Sequence, residues 1–216
     1  MKKRVHLHLF ICFIAVFFCA LPPLLASTVT TADEAALRAA LSGGGTVTFA
    51  CDGTIVLANT LVISQDTVLD ASGHNITISG NNQVRVFQVE TNVALSLKNI
   101  IVANGHAAGT DGTNYFELID PMWFEGNYYG TPGGPGLVGG LYTDGGTVHL
   151  FDCLFRSNSV VGGMGGADTV TNNTYGGDGC GGAIGNNRGT LIVSNCVFFL
   201  NQAIGGQGGL SYCLAC

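Results

Sequence analysis

The chain has 216 residues, a formal net charge of −6, 33 glycines and only 10% charged residues. Three basic residues lie in an apolar leader, and without them five basic residues face 14 acidic ones, so the basic footprint of a nucleic-acid-binding protein is absent. The glycines follow no collagen-like three-residue repeat. They form turn doublets between rows of apolar residues, which favours a folded repeat domain over disorder.

The N-terminal segment predicts export. Three basic residues at positions 2–4 precede an apolar run from Leu7 to Leu25. This order is typical of a secretory signal peptide, here residues 1–26 with cleavage after Ala26. The alternative is an uncleaved membrane anchor, because the run is long. We expect a secreted or cell-surface protein.

A short cap and a series of strands follow the leader. Residues 27–44 predict a helix from Asp33 to Leu41, with Thr31 as its N-cap and a run of glycines just beyond its end. Alternating strands are predicted after it at Thr46–Phe49, Thr54–Leu57, Leu61–Ile63, Thr67–Leu69, Ile76–Ile78 and Val84–Val89.

Residues 105–139 break the strand pattern and concentrate aromatic side chains among acidic ones. A loop of this length is uncommon unless it has a function. Aromatic faces beside carboxylates suit stacking on sugar rings, so this insertion is a candidate site for an extracellular polysaccharide or a cell-surface glycan. The candidate residues are Tyr115, Phe116, Trp123, Phe124, Tyr128 and Tyr129. The alternative is a packed Ω-loop whose rings cover the flank of the domain.

Residues 146–166 and 189–209 are two copies of one repeat, offset by 43 residues and identical at nine of 21 positions. A glycine doublet precedes each copy, at Gly139-Gly140 and at Gly181-Gly182. A fixed period of this size is typical of a repeat architecture.

The apolar positions of the repeat predict strands. They are Val148, Leu150, Cys153 and Phe155 in one copy, Leu191, Val193, Cys196 and Phe198 in the other, and Leu95, Leu97, Ile100 and Val102 in a diverged third. The shared spacing of two, three and two residues predicts two alternating strands joined by a one-residue turn. The turn residue is Asn99, Asp152 or Asn195, all of types that tolerate left-handed backbone geometry.

Stacked coils would merge these apolar rows into one core, with strands about 4.8 Å apart. If a coil takes roughly 20 residues, the 43-residue offset contains two coils. Cys153 and Cys196 would then lie about 10 Å apart, too far for a disulfide, and would serve as small core side chains. Asn158 and Asn201 are expected to form an amide ladder along the stack.

These residues carry a family resemblance. The runs at 181–184, 191–193 and 195–201 resemble the GGAI…FxxN repeat of the polymorphic outer-membrane-protein type. Residues 67–89 and 95–105 resemble the opening coils of bacterial parallel β-helix proteins of the pectate-lyase-like superfamily. The resemblance implies an all-β, right-handed parallel β-helix over residues 45–216, with the helix within residues 27–44 covering its first edge. It implies little about activity, because the superfamily includes lyases, hydrolases, adhesins and stalks.

Catalytic groups are not predicted. Lyases of that superfamily need clustered acidic calcium ligands and a basic proton acceptor, and its hydrolases need paired carboxylates. No basic residue of the mature chain lies in such a motif, so we predict no catalytic residue, metal site or cofactor. Asp111, Asp144 and Asp178 each precede a glycine, which predicts local turns rather than calcium ligands. The pair Cys213 and Cys216 has zinc-like spacing but stands alone.

The functional expectation is a secreted or surface β-helix that acts as an adhesin-like scaffold without catalysis. The chain stops at Cys216 without the polar covering that terminal coils need. We therefore expect a truncated product whose full-length form continues into further coils and an outer-membrane anchor. The alternative function is a polysaccharide-active, pectate-lyase-like enzyme or a fragment of one. Acids clustered with Arg or Lys on one flank would favour the enzyme.

Overall fold

The computed structural model describes residues 26–120, 125–168 and 174–209, which form one helix and 22 strands. The helix, α1, spans Glu34–Leu41. The strands are β1 Ala26–Val29, β2 Gly45–Phe49, β3 Gly53–Val56, β4 Leu61–Ile63, β5 Thr67–Asp70, β6 Ile76–Ser79, β7 Phe87–Val89, β8 Ala94–Lys98, β9 Ile100–Ala103, β10 His106–Ala108, β11 Asn114–Asp120, β12 Glu125–Gly130, β13 Gly136–Leu137, β14 Leu141–Asp144, β15 Thr147–Phe151, β16 Leu154–Arg156, β17 Ser159–Val161, β18 Gly179–Cys180, β19 Ile184–Asn187, β20 Thr190–Ser194, β21 Val197–Phe199 and β22 Gln202–Ile204. The predicted signal peptide lies outside the described residues except for Ala26, the first residue of β1.

The described strands stack as a parallel β-helix. The first sheet has the order β1-β2-β5-β8-β15-β20, the second β3-β6-β9-β16-β21 and the third β4-β7-β14-β19. A shorter sheet, β10-β17-β22, and the pair β13-β18 are also parallel. Each circuit of the chain adds a strand to these sheets, so the predicted fold class is confirmed.

Inward side chains form columns through the coils. Val47, Leu69, Leu97 and Leu150 are in direct register along the first sheet, and all four side chains are fully buried. Burial of an aliphatic side chain of this size stabilises the fold by about 1.5–3 kcal/mol. The predicted apolar spacing is therefore the spacing of the core.

Left-handed corners separate the first sheet from the second. The predicted turn residues have φ angles of 53°, 53° and 51° and are Asn99, Asp152 and Asn195. This prediction is confirmed. A second set of left-handed corners, which the sequence analysis did not identify, has φ angles of 51°, 54° and 53° at Asn104, Ser157 and Leu200.

The predicted coil length is wrong for the repeats. Thr147 pairs directly with Thr190, so 43 residues make one coil and not two. Earlier steps along the first sheet are 20, 22 and 28 residues long, and the step before the repeats takes 53. The extra residues of the long coils leave the β-helix and return to it, as described below.

The N-terminal cap differs in detail from the prediction. The N-cap of α1 is Asp33, whose carboxylate accepts a hydrogen bond from the Ala36 amide at 2.8 Å. Thr31, the predicted cap, instead donates its hydroxyl to the Asp33 carboxylate at 2.6 Å. The helix buries Leu37 and Ala40. Ahead of it, β1 already pairs with β2 and was missed because it continues directly from the apolar leader.

The long coils extend into glycine-rich segments that we call the glycine arms. Outgoing arms span 109–113, 162–166 and 205–209, and returning arms span 131–136 and 174–179. Neighbouring outgoing arms bond at every third residue, with Gly109 donating to Val161 and Gly112 to Met164. Outgoing and returning arms also bond to each other, as in the 2.9 Å contact from Gly163 N to Gly134 O. A three-residue period, with hydrogen bonds between neighbouring segments and none within a segment, is typical of polyproline II geometry.

Close backbone packing explains the glycine content of the arms. A Cβ atom on Gly163 would lie 1.9 Å from the Thr110 carbonyl oxygen, and one on Gly177 would lie 1.9 Å from that of Gly134. Most of the glycines were predicted to form turn doublets. In the arms they are instead needed because backbone packs directly on backbone.

The predicted asparagine ladder is confirmed. Asn158 is fully buried, and its amide nitrogen donates to Asn201 Oδ1 at 2.9 Å and to Val102 O at 3.1 Å. Its amide oxygen accepts from Gly105 N at 2.8 Å. The side chain thus joins three successive coils at the point where the outgoing arms begin.

We expect Gly163→Ala to destabilise the protein by about 1–3 kcal/mol, because the new methyl group overpacks the arms. Urea unfolding of the mature chain measures the change. The control is Gly73→Asn, at an exposed turn with φ of +85° and nothing within 4 Å of a Cβ atom, where asparagine is tolerated. Equal stability of the two variants would contradict the close packing of the arms.

Asn158→Ala should lower the free energy of unfolding by about 1–3 kcal/mol for each buried backbone group that loses its hydrogen-bond partner. The groups affected are Gly105 N–H and Val102 C=O. Thermal unfolding followed by circular dichroism measures this loss. Replacement of the exposed Asn187 by alanine should change stability by less than about 0.5 kcal/mol. A similar small effect of both substitutions would show that the ladder does not stabilise the coils.

Candidate functional site

The predicted insertion is a hairpin carried by two glycine arms. Strands β11 and β12 pair antiparallel within it, so the segment has regular structure and is not the packed Ω-loop that was the alternative. At the base, Gly112 N donates to Met164 O at 2.6 Å and Gly134 N donates to Thr110 O at 2.7 Å. The hairpin therefore stands on segments that are bonded to the next coil as well as to each other.

One face of the hairpin, which we call the tyrosine face, combines aromatic and polar side chains. Tyr115 pairs with Tyr129 and Glu117 pairs with Asn127 across the two strands. The two tyrosine rings lie 6.4 Å apart between centroids and are tilted by 37°. Tyr115 is 64% exposed. Tyr129 is half-buried. An exposed ring such as that of Tyr115 can stack on the apolar face of a ligand, while the neighbouring carboxylate and amide can hydrogen-bond to hydroxyl groups.

The six predicted site residues do not all lie on that face. Phe116 follows Tyr115 in β11 and points to the opposite face, since successive residues alternate along a strand. The backbone of Tyr128 pairs with Phe116. Trp123 and Phe124 lie outside the described residues. Among the predicted residues, Tyr115 and Tyr129 are a pair whose rings the structure brings together.

Polar side chains at the hairpin base form links between coils. Asp111 Oδ1 accepts from Met164 N at 2.8 Å, and Asn114 Oδ1 accepts from Ala167 N at 2.7 Å. The prediction that Asp111 serves a local turn is wrong, because its partner lies 53 residues away. Asp144 does precede a left-handed turn glycine, Gly145 with φ of 76°, and its side chain also pairs with Arg188 of the next coil at 2.8 Å.

A concave surface lies on the flank of the third sheet, away from the tyrosine face. This groove has a volume of about 410 Å³ and is lined by Gln88, Val89, Glu90, Thr91, Tyr142 and Asp144. Two acids, Glu90 and Asp144, line the groove, and Asp144 pairs with Arg188 at 2.8 Å. The groove could not be predicted from the sequence, because its residues come from β7, the two residues after it, and β14, which lie far apart in the chain.

Arg85 lies beside this groove and links two segments that are distant in the chain. Its guanidinium lies 5.0 Å from the centroid of the Tyr142 ring. It donates to Val138 O at 2.9 Å and to Gln88 Oε1 at 3.0 Å. Burial lowers the pKa of Arg85 from its usual value, although a guanidinium remains charged in proteins. These contacts tie the start of β7 to the chain that returns from the hairpin.

The cysteines lie closer together than predicted. Cys153 and Cys196 occupy adjacent coils, and Cys153 N donates to Cys196 Sγ at 3.4 Å. The argument that two coils separate them is therefore wrong, although both thiols are free. Cys153 is buried in the core as predicted, and burial raises its pKa to about 11. Cys213 and Cys216 lie outside the described residues.

Within the described ranges, no group of three or more His, Cys, Asp or Glu side chains is arranged to hold a metal ion. The helix found in the same ranges is too short to cross a membrane. Comparison of the chain with models of protein families, with curated proteins and with solved structures finds no match.

Alkylation by iodoacetamide at pH 8 should be at least about 100-fold slower at Cys153 than at Cys180, because the thiolate is the reactive form. Cys153 has a pKa raised to about 11 and is buried, whereas Cys180 is exposed. Mass spectrometry of peptides from the native protein gives the two rates. Unfolding in urea should make them equal, and equal rates in the native state would contradict the burial of Cys153.

Proposed function

We propose that this chain is the β-helical part of a secreted or cell-surface adhesin-like protein that binds extracellular carbohydrate through its tyrosine face. It is non-catalytic in this proposal. The finer assignment, to a pectate-lyase-like β-helix with repeats of the polymorphic outer-membrane-protein type, belongs to the same proposal and is based on the residues at 67–105 and 181–201.

The observation that carries the proposal is the presentation of Tyr115 and Tyr129. Their rings lie side by side on a hairpin that projects on bonded arms. Tyr115 is 64% exposed, and aromatic rings grouped beside polar side chains are typical of the anchors of a binding surface. Glu117 and Asn127, paired across the same face, add hydrogen-bonding groups that sugar hydroxyls need.

Export is proposed from the leader, and the charge of the remaining chain indicates which glycans it would bind. Residues 1–26 have the order of a signal peptide, and acidic residues outnumber basic ones in the rest of the chain. An acidic stalk suits binding of neutral rather than anionic glycans, because anionic ligands would be repelled. A full-length form that continues into an outer-membrane anchor remains part of this proposal.

A glycan array, followed by calorimetry with the best neutral oligosaccharide, tests the function. Tyr115→Ala and Tyr129→Ala should each weaken binding by at least about 10-fold, since aromatic anchors dominate such contacts. Phe116→Ala, on the opposite face of the same strand, should retain binding. Tyr175→Ala removes a tyrosine that is 60% exposed outside the hairpin and serves as the matched control.

The proposal fails if no glycan binds, or if Phe116→Ala and Tyr175→Ala weaken binding as much as the two tyrosine-face variants. The same incubations also examine the alternative function, a polysaccharide-active enzyme that uses the groove lined by Glu90 and Asp144. Recovery of the oligosaccharides at full length supports a binding protein. Shortened products would favour the enzyme.

A further inference from the structure

Glu117 is a carboxylate of the tyrosine face that the fold itself does not use. It is exposed, and among the described residues it makes neither an ion pair nor a side-chain hydrogen bond. Other acids of the chain pair with basic side chains, as in Glu34–Arg38, Asp70–Lys98 and Asp144–Arg188. An ionised carboxylate only accepts hydrogen bonds. The oxygens of Glu117 are therefore available to donors that come from outside the chain.

Glu117 lies on the same face of the hairpin as both tyrosine rings. It is two residues from Tyr115 along β11, and its pairing with Asn127 places it diagonally opposite Tyr129. Diagonal neighbours on antiparallel strands lie about 7–8 Å apart, within reach of aromatic and long side chains. A ligand group that contacts the exposed ring of Tyr115 is therefore also within reach of the carboxylate.

The hairpin and the arms that carry it have negative charge that no basic residue of the same segment offsets. Residues 107–137 contain no Lys, Arg or His, and their acids are Asp111, Glu117, Asp120 and Glu125. A surface with charge of one sign attracts ligands of the opposite sign and repels ligands of its own. The segment therefore favours a cationic ligand over a neutral one, and a neutral ligand over an anionic one.

An aromatic face beside a carboxylate favours an ammonium group over a hydroxyl group. The face of a tyrosine ring attracts a cation that lies within about 6 Å of the ring centroid. A charge-assisted hydrogen bond to a carboxylate is roughly twice as strong as a neutral one. An ammonium group also has three donors and no acceptor, which suits the carboxylate of Glu117 and the amide oxygen of Asn127.

We propose that the tyrosine face binds amino sugars, with the protonated amine held between Glu117 and the ring of Tyr115. This inference rests on the proposed carbohydrate function and names the class of sugar. An amino sugar keeps the apolar ring face that stacks on tyrosine and adds the positive charge. A lysine side chain of a basic peptide has the charge but no ring face, so the paired tyrosines favour the sugar.

Calorimetry at about pH 6, where amines are protonated and glutamate is ionised, compares the tetramers of glucosamine and of glucose with the same β-linkage. In these probes an amine replaces one hydroxyl group of each ring. The glucosamine tetramer should bind the mature chain at least about 5-fold more tightly, because an exposed ion pair and an exposed cation–π contact each add a modest gain. About 1 M sodium chloride should remove most of this preference, because salt screens exposed charges.

Two matched variants locate the preference. Glu117→Gln keeps the shape of the side chain and removes its charge, so the preference for glucosamine should fall to about 2-fold, the part that the ring contact supplies. Asp178→Asn removes the same charge from an exposed position on a returning arm and should keep the wild-type preference. Both substitutions are at exposed positions, so the circular dichroism spectrum of each variant should match that of the wild type.

Equal or weaker binding of the glucosamine tetramer overturns the inference, and so does the absence of binding by both tetramers. A preference that survives Glu117→Gln, or that is lost in Asp178→Asn, also overturns it. Tighter binding of a lysine tetrapeptide than of the glucosamine tetramer would assign the face to a basic peptide instead. The proposed function is tested separately, because neutral glycans that bind on the array support it even if an amine adds nothing.

Discussion

Hydrogen-bonded stacking of each coil on the one before is the constraint on which this structure depends. Strands lie about 4.8 Å apart, so any residue that returns to the same place one circuit later must fit that distance. In the sheets this spacing aligns apolar columns such as Leu69, Leu97 and Leu150. At the arm positions that face a neighbouring backbone, it leaves no room for a Cβ atom and selects glycine.

The part of the fold that depends on side-chain alternation could be predicted from the sequence. The apolar spacing located β8, β9, β15, β16, β20 and β21, and the left-handed corners at Asn99, Asp152 and Asn195 followed from residue type. The coil length could not be derived in this way. The glycine arms bury no apolar side chain, so the sequence of an arm has no apolar periodicity. Without that periodicity, a 43-residue repeat can be read either as one long coil or as two short coils.

The candidate site, like the fold, could be predicted from the sequence only in part. The aromatic content of residues 105–139 identified the segment, because these rings lie among acidic residues in a stretch that breaks the strand pattern. The pairing of Tyr115 with Tyr129 depends on the register of β11 and β12, which composition does not determine. A shift of one residue would exchange the two faces. The groove beside Arg85 was missed for a related reason, since β7 and β14 become neighbours only through the stacking of coils.

In the long coils, the β-helix and the glycine arms differ in how unfolding changes the heat capacity. The β-helix buries aliphatic columns, so its unfolding exposes apolar surface and raises the heat capacity. The glycine arms expose mainly peptide groups when they separate, and hydration of polar surface lowers the heat capacity. The apolar contribution that weakens on cooling therefore belongs to the core and not to the arms. Cooling weakens the stabilisation from the aliphatic columns, whereas the arms that carry the hairpin contribute little hydrophobic stabilisation to lose.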